Sequence, residues 1–212
     1  MQFKKLKKSA TNISKISGMI LTEALVAVAT LATGVIILSS IINNAISSTI
    51  VSKDYLVAQN LLTESVEAVK NIRDTNWLIR PDKKECWMMT DPNDYVANPN
   101  CDAALPEENS NYVSIFGNNG WSLKKIANGA GLDLTSNQAA LKAPYRLYQI
   151  DVAGAKKFVS SANVLPDSTK FYRAVKFSNV SMDSIEFEAK VQWLDGAKTR
   201  TVSRSFKMYN YL

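Results

Sequence analysis

A chain of 212 residues with an apolar fraction of 46% has room for one ordinary domain with a modest core, plus an appendage. Its net charge of +6 is concentrated: five of the 25 basic residues, Lys4, Lys5, Lys7, Lys8 and Lys15, precede Gly18 in a stretch without acids, leaving 20 basic against 19 acidic residues elsewhere. That balance weakens a nucleic-acid reading, which needs Lys and Arg clustered on a folded surface, and the absence of histidine removes imidazole as general base, proton shuttle and metal ligand.

The first predicted element is a membrane span. Ala24 to Ile42 is apolar or small, and no charge appears until Lys53. About 20 such residues at ~1.5 Å each cross the ~30 Å hydrocarbon core of a bilayer. A secretory signal has a shorter apolar region of about 7–15 residues followed by a small-residue cut site, so an ordinary cleaved signal is disfavoured. The lysines before the span are expected to stay cytoplasmic by the positive-inside rule, with everything after Ile42 outside. Glu23 alone breaks the pattern, at the edge of the span. A carboxylate near hydrocarbon costs a few kcal/mol without a partner; it marks either a functional site or contact with lipid headgroups.

The run Gly18-Met19-Ile20-Leu21-Thr22-Glu23, after a Lys-rich leader and before a long apolar helix, resembles the prepilin signature of type IV pilins. The resemblance implies cleavage by a membrane-embedded prepilin peptidase between Gly18 and Met19, N-methylation of the new Met19 amine, and retention of the span as filament core. Gly18, lacking a Cβ, suits a tight peptidase site. Glu23, fifth in the mature chain, would neutralise the amine of a neighbouring subunit, since opposite charges attract strongly at low dielectric. Two features differ from the common family pattern: Met19 stands where Phe is usual, and the apolar helix holds no Pro, only Gly34.

From Asn43 to Trp77 there is neither Gly nor Pro. Val51, Tyr55, Ala58, Leu62 and Val69, widened by Leu61, Ala68 and Ile72, recur at helical spacing and predict an amphipathic stem continuous with the span. The alternative is a break near Asn43-Asn44. The segment from Ala58 through Trp77 is also similar to the stem end of minor pilins related to type II secretion pseudopilins.

Residues 81–111 read as a loop rich in Asp, Asn and Pro. Cys86 and Cys101 lie in it without CxxC spacing; in an oxidising compartment they read as a disulfide, otherwise as two thiols. Asp91, Asn93, Asp94 and Asp102 lack the Gly and terminal Glu of a calcium loop and read as turn residues. No metal site or cofactor is implied.

Strands follow. Tyr112–Phe116, Tyr145–Val152 and Phe171–Phe177 are candidates, and Ile185, Phe187, Ala189, Val191 and Trp193 alternate with polar residues. Asp195-Gly196 signals a hairpin returning through Val202, Phe206 and Met208, with Arg204 interrupting the apolar face. The four Trp residues and Tyr172, Tyr209 and Tyr211 read as core and rim, with a carbohydrate or surface contact as the alternative.

The expected organisation is a leader at 1–18, a transmembrane and filament-core helix at 19–42, an amphipathic stem at 43–78 and an extracytoplasmic loop and β-sheet head at 79–212. The fold class is α+β, with the second half of the long helix packed on an antiparallel sheet. No catalytic constellation is present, so the expected work is assembly. Through the resemblance, the partners are other pilin subunits, prepilin peptidase, the membrane and an assembly platform. The rival is a single-pass anchored protein whose head binds a ligand or surface.

Overall fold

A computed structural model describes residues 3–92, 100–101, 105–117, 120–127, 131–135, 142–152, 154–160 and 167–211, with backbone alone at 3–18, 152, 155 and 167. One α-helix, α1 (Phe3–Ile79), precedes seven strands: β1 (Asn111–Gly117), β2 (Gly120–Lys125), β3 (Arg146–Val152), β4 (Ala155–Val159), β5 (Asp167–Val180), β6 (Ser184–Asp195) and β7 (Lys198–Tyr209). The chain divides into two compact units, residues 1–53 and 54–212, and α1 contributes to both. The alternative of a break at Asn43-Asn44 does not occur, because nothing there disrupts helical hydrogen bonding. The helix ends before Pro81, with a last bond from the Arg80 amide to the Asn76 carbonyl at 2.9 Å.

The second unit is an α+β head. All its strand pairs are antiparallel. β7 pairs with β6 and β6 with β5, while the other edge of the long β5 serves two hairpins: β3–β4 on its first half and β1–β2 on its second. At the β6–β7 turn Gly196 takes φ 60°, a conformation costly for a side chain with Cβ, which is why Asp-Gly marks this hairpin. Two strands, β2 and β4, were not predicted, since Lys124, Lys125, Lys156 and Lys157 dilute their apolar alternation.

Parity along β5 divides the head into two layers. Phe171, Val175 and Phe177 join Ile185, Phe187, Ala189, Val191 and Trp193 of β6 against Ala58, Leu61, Leu62, Val66, Val69 and Ile72 of α1. Burying a Leu, Ile or Val side chain in such a layer contributes about 1.5–3 kcal/mol. Tyr172 and Ala174, on the opposite face, pack with Val113, Leu132, Leu134 and Tyr145. The stem stripe differs from expectation at one end. Tyr55 is about half exposed, and Asp54 occupies the buried position, paired with Lys170.

The stretch after α1 is irregular, as expected, yet its first part is core and not solvated loop. Trp87 and Met88 are fully buried in the main layer, while Cys86, Met89 and Cys101 form a small cluster of their own. Buried Asn76 holds this stretch through its amide, which donates to the carbonyl of Met89 at 3.0 Å, and the Leu123 amide donates to Thr90 at 2.7 Å. Cys86 and Cys101 are joined as a disulfide, Cα–Cα 5.4 Å.

Among the described residues one cation is buried inside the α1–sheet layer. Arg173 is 2% exposed and pairs with Glu64 of α1 at 3.0 Å. Its Nη2 donates to the Ser114 carbonyl of β1 at 3.2 Å and to Ser160 Oγ, just past β4, at 3.1 Å; that hydroxyl donates to the same Ser114 carbonyl at 2.7 Å. Burial lowers the pKa of the guanidinium, and the Glu64 charge pulls it back up.

Removing Glu64 leaves the Arg173 charge buried without its counter-charge, whereas removing Arg173 leaves a carboxylate that keeps solvent contact. Glu64→Ala is therefore expected to destabilise the head by about 3 kcal/mol, the low end for a buried pair because Glu64 keeps some solvent contact. Arg173→Met is expected to cost less, about 1.5 kcal/mol. Chemical denaturation of the two variants checks the order; equal losses would show that the charge is not what matters.

Candidate functional site: the uncovered apolar helix

In the first unit the side chains described are those from Met19 to Lys53 of α1, and from Met19 to Ile42 they form a largely apolar surface without cover. Ile20, Leu21, Leu25, Val28, Leu31, Val35, Ile36 and Ile41 are all exposed. The most apolar 18-residue window has a mean hydropathy of 2.4 and none of it is buried. An 18-residue helix is ~27 Å long, close to the thickness of bilayer hydrocarbon. So large a continuous apolar surface is not stable in water and demands lipid or other helices.

The polar groups of the segment are arranged for such surroundings. A helix satisfies its own backbone, which is why it can cross hydrocarbon at all. The Thr hydroxyls do likewise: Thr22 donates to the carbonyl of Met19 at 2.8 Å, Thr30 to Ala27 at 2.8 Å, Thr33 to Thr30 at 2.9 Å and Thr49 to Ala45 at 2.9 Å. Each hides its donor in the groove of its own helix. Gly34 has open space around the position where a Cβ would be, and the helix continues through it.

Gly18, Met19 and Glu23 lie on the same helix, with Met19 and Glu23 one turn apart on one face. Met19 is 74% exposed. Glu23 is exposed too, and among the described residues it has neither an ion-pair nor a hydrogen-bond partner. Its carboxylate is the one charge between Met19 and Lys53. The geometry thus leaves the Glu23 carboxylate open to a second molecule, while the nitrogen of Met19 is a peptide nitrogen within α1.

In the head, Cys86 and Cys101 come together as the sequence indicated for an oxidising compartment. Asn93, Asp94 and Asp102 lie outside the described residues; Asp91 is exposed. Trp87 and Trp193 are core, Trp77 and Trp121 pack against it, and Arg73 lies over the Trp77 ring at 4.6 Å. Tyr172 is buried, while Tyr209 and Tyr211 are exposed and 5.9 Å apart. Sequence reasoning missed Arg173 and the Asp54–Lys170 pair. The available signal was a cation at an apolar-parity position, between Phe171 and Val175.

No known protein family, curated protein or solved structure matches the chain. The physical arrangement is a long apolar N-terminal helix followed by an antiparallel sheet, compatible with a pilin-like architecture, and the helix is able to anchor in a membrane.

If hydrocarbon is the surroundings of this helix, a central cation opposes insertion by about 3 kcal/mol. Leu31→Lys should accordingly shift the chain from the membrane fraction to the soluble or aggregated fraction, while Leu31→Ile should not. Alkaline extraction of membranes measures this, and unchanged membrane retention of Leu31→Lys would count against a spanning helix.

Proposed function

We propose that this chain is the precursor of a minor pilin or pseudopilin, a structural subunit of a type IV pilus or type II secretion-like filament. The carrying observation is the placement of Gly18, Met19 and Glu23 at the start of the uncovered apolar stretch of α1, a helix whose continuation packs on a disulfide-bonded, antiparallel head. Prepilin peptidase cuts between Gly18 and Met19 on the cytoplasmic side, and the new Met19 amine is methylated. The helix holds the subunit in the inner membrane with its head outside, until an assembly platform transfers it to the filament.

There the exposed apolar side chains exchange lipid for neighbouring helices. Each position that faced lipid stays in an apolar medium, so the transfer is nearly neutral in hydrophobic terms, and specificity falls to charge and packing. Glu23 supplies the charge: unpartnered among the described residues, it meets the Met19 amine of a neighbour. The disulfide suits a head that works outside the reducing cytoplasm. No catalytic role is assigned to any residue.

The cut is tested by Gly18→Val, which is expected to leave full-length precursor in the membrane. N-terminal mass spectrometry of wild type should give a chain starting at Met19, and a normal-sized product from Gly18→Val would refute the assignment.

Glu23→Ala separates assembly from anchoring. It should insert and be cut as wild type, since neither step uses the charge partner, but its incorporation into sheared filaments should fall by about tenfold or more, because an unpaired amine would remain in the apolar core. Equal incorporation at matched membrane levels would favour an anchored surface protein whose head does the binding.

A further inference from the structure

The sulfur cluster beyond α1 contains one group that a purely structural disulfide does not need. Cys86, Met89 and Cys101 are buried together, and the partly buried Arg80, the first residue after α1, reaches into them. Its Nη1 lies 2.9 Å from Met89 Sδ and 3.5 Å from Cys86 Sγ, and it contacts Cys101 Sγ more closely than either. A neutral sulfur is a weak acceptor, so the guanidinium gains little there while the disulfide is closed. A thiolate at the same place would be a full counter-charge.

The two cysteines are not equivalent. Cys86 is fully buried and is held by contacts that do not need the bond. Trp87 and Met88 beside it pack in the main layer, its amide donates to the Lys83 carbonyl at 3.1 Å, and its carbonyl accepts from the Met89 amide at 3.2 Å. Cys101 is 7% exposed and is the sulfur nearest the guanidinium. Access and charge therefore select the same thiol. The charges that run up to Cys86 in the chain, Asp82, Lys83, Lys84 and Glu85, sum to zero and leave Arg80 as the group that decides.

We propose that Arg80 activates Cys101 as the entry thiol for closing this disulfide, once the segment around Cys86 has docked on the head. The guanidinium holds the Cys101 sulfur as a thiolate, its proton passing to water. That thiolate attacks one sulfur of an external disulfide carrier, which leaves a mixed disulfide on Cys101 and releases a carrier thiolate that takes up a proton. Cys86, 3.5 Å from the same guanidinium, then loses its own proton and attacks the Cys101 sulfur. The second carrier thiolate leaves and is protonated. Two cysteine thiols are oxidised, and one carrier disulfide is reduced to two thiols. The reaction that completes the head is thus a thiol–disulfide exchange that follows folding and does not precede it. This inference does not depend on filament assembly.

The test uses the full chain in detergent micelles, reduced and freed of reductant, with oxidised glutathione as the carrier. Samples are quenched in acid, alkylated and weighed by mass spectrometry. Wild type is expected to close about fivefold faster than Arg80→Met at neutral pH, the gain in thiolate being partly offset because a more acidic thiol is a weaker nucleophile. Arg80→Lys should keep most of the rate. In denaturant wild type and Arg80→Met should close equally fast, since the guanidinium then has no fixed place beside the sulfurs. Chains that keep Arg80 give a second readout: Cys86→Ser should form its mixed disulfide with glutathione on Cys101 faster than Cys101→Ser forms one on Cys86. Equal closure of wild type and Arg80→Met in the folded state, or faster reaction at Cys86, would overturn the proposal. So would a difference between wild type and Arg80→Met that persists in denaturant.

Discussion

A guanidinium cannot remain charged inside a packed layer without a counter-charge and hydrogen-bond acceptors, and in this head a counter-charge and two acceptors come from parts far apart in the chain, while Nε makes no hydrogen bond. Arg173 draws Glu64 from the helix, the Ser114 carbonyl from β1 and the Ser160 hydroxyl from beyond β4 to one point. Apolar packing alone fixes register loosely, since one Leu or Val contact substitutes for another at small cost. The buried ion does not tolerate such slippage. It sets how α1 lies on β5 and how the two hairpins share the edge of that strand, and the Asp54–Lys170 pair acts in the same sense one end further along.

The same helix solves a different problem in the first unit. There every side chain from Met19 to Ile50 except Gly34 is exposed, and the surface is apolar on all sides. What makes this tolerable is that the backbone and the Thr hydroxyls satisfy themselves, so that lipid or another helix supplies mainly dispersion contacts along the span. Glu23 is the exception that needs something specific. A helix that is apolar all round is poorly suited to water, and a carboxylate near its start, unpartnered among the described residues, has to be met by lipid headgroups or by a charge from another molecule; the proposed assembly role takes the second course.

The irregular stretch after the helix shows how a segment of loop composition becomes structural. Cys86-Trp87-Met88-Met89 is buried because Asn76 accounts for a backbone carbonyl there and the disulfide closes the segment on itself. An irregular segment can enter a core only when its polar groups are met in this way. The two hairpins on the shared edge of β5 leave a cleft lined by Phe116, Trp121 and Phe158 between them and the helix, a consequence of topology and not of any local motif.

Much was legible in the sequence because it depends on local pattern. The span follows from uncharged length, the stem from spacing by three and four, and β6 and β7 from alternation around Asp195-Gly196. The Gly18, Met19 and Glu23 constellation is contiguous and could be read directly. Tyr55 failed because helical spacing cannot tell which of two adjacent residues faces the sheet when the competitor, Asp54, has a lysine waiting for it. β2 and β4 failed because lysines at strand positions that face outward erase the period on which a strand reading depends. Arg173, the Ser114 and Ser160 contacts and the cleft required the tertiary structure, since they join residues from 13 to 59 or more positions apart, and no local rule encodes which distant group will meet a buried charge.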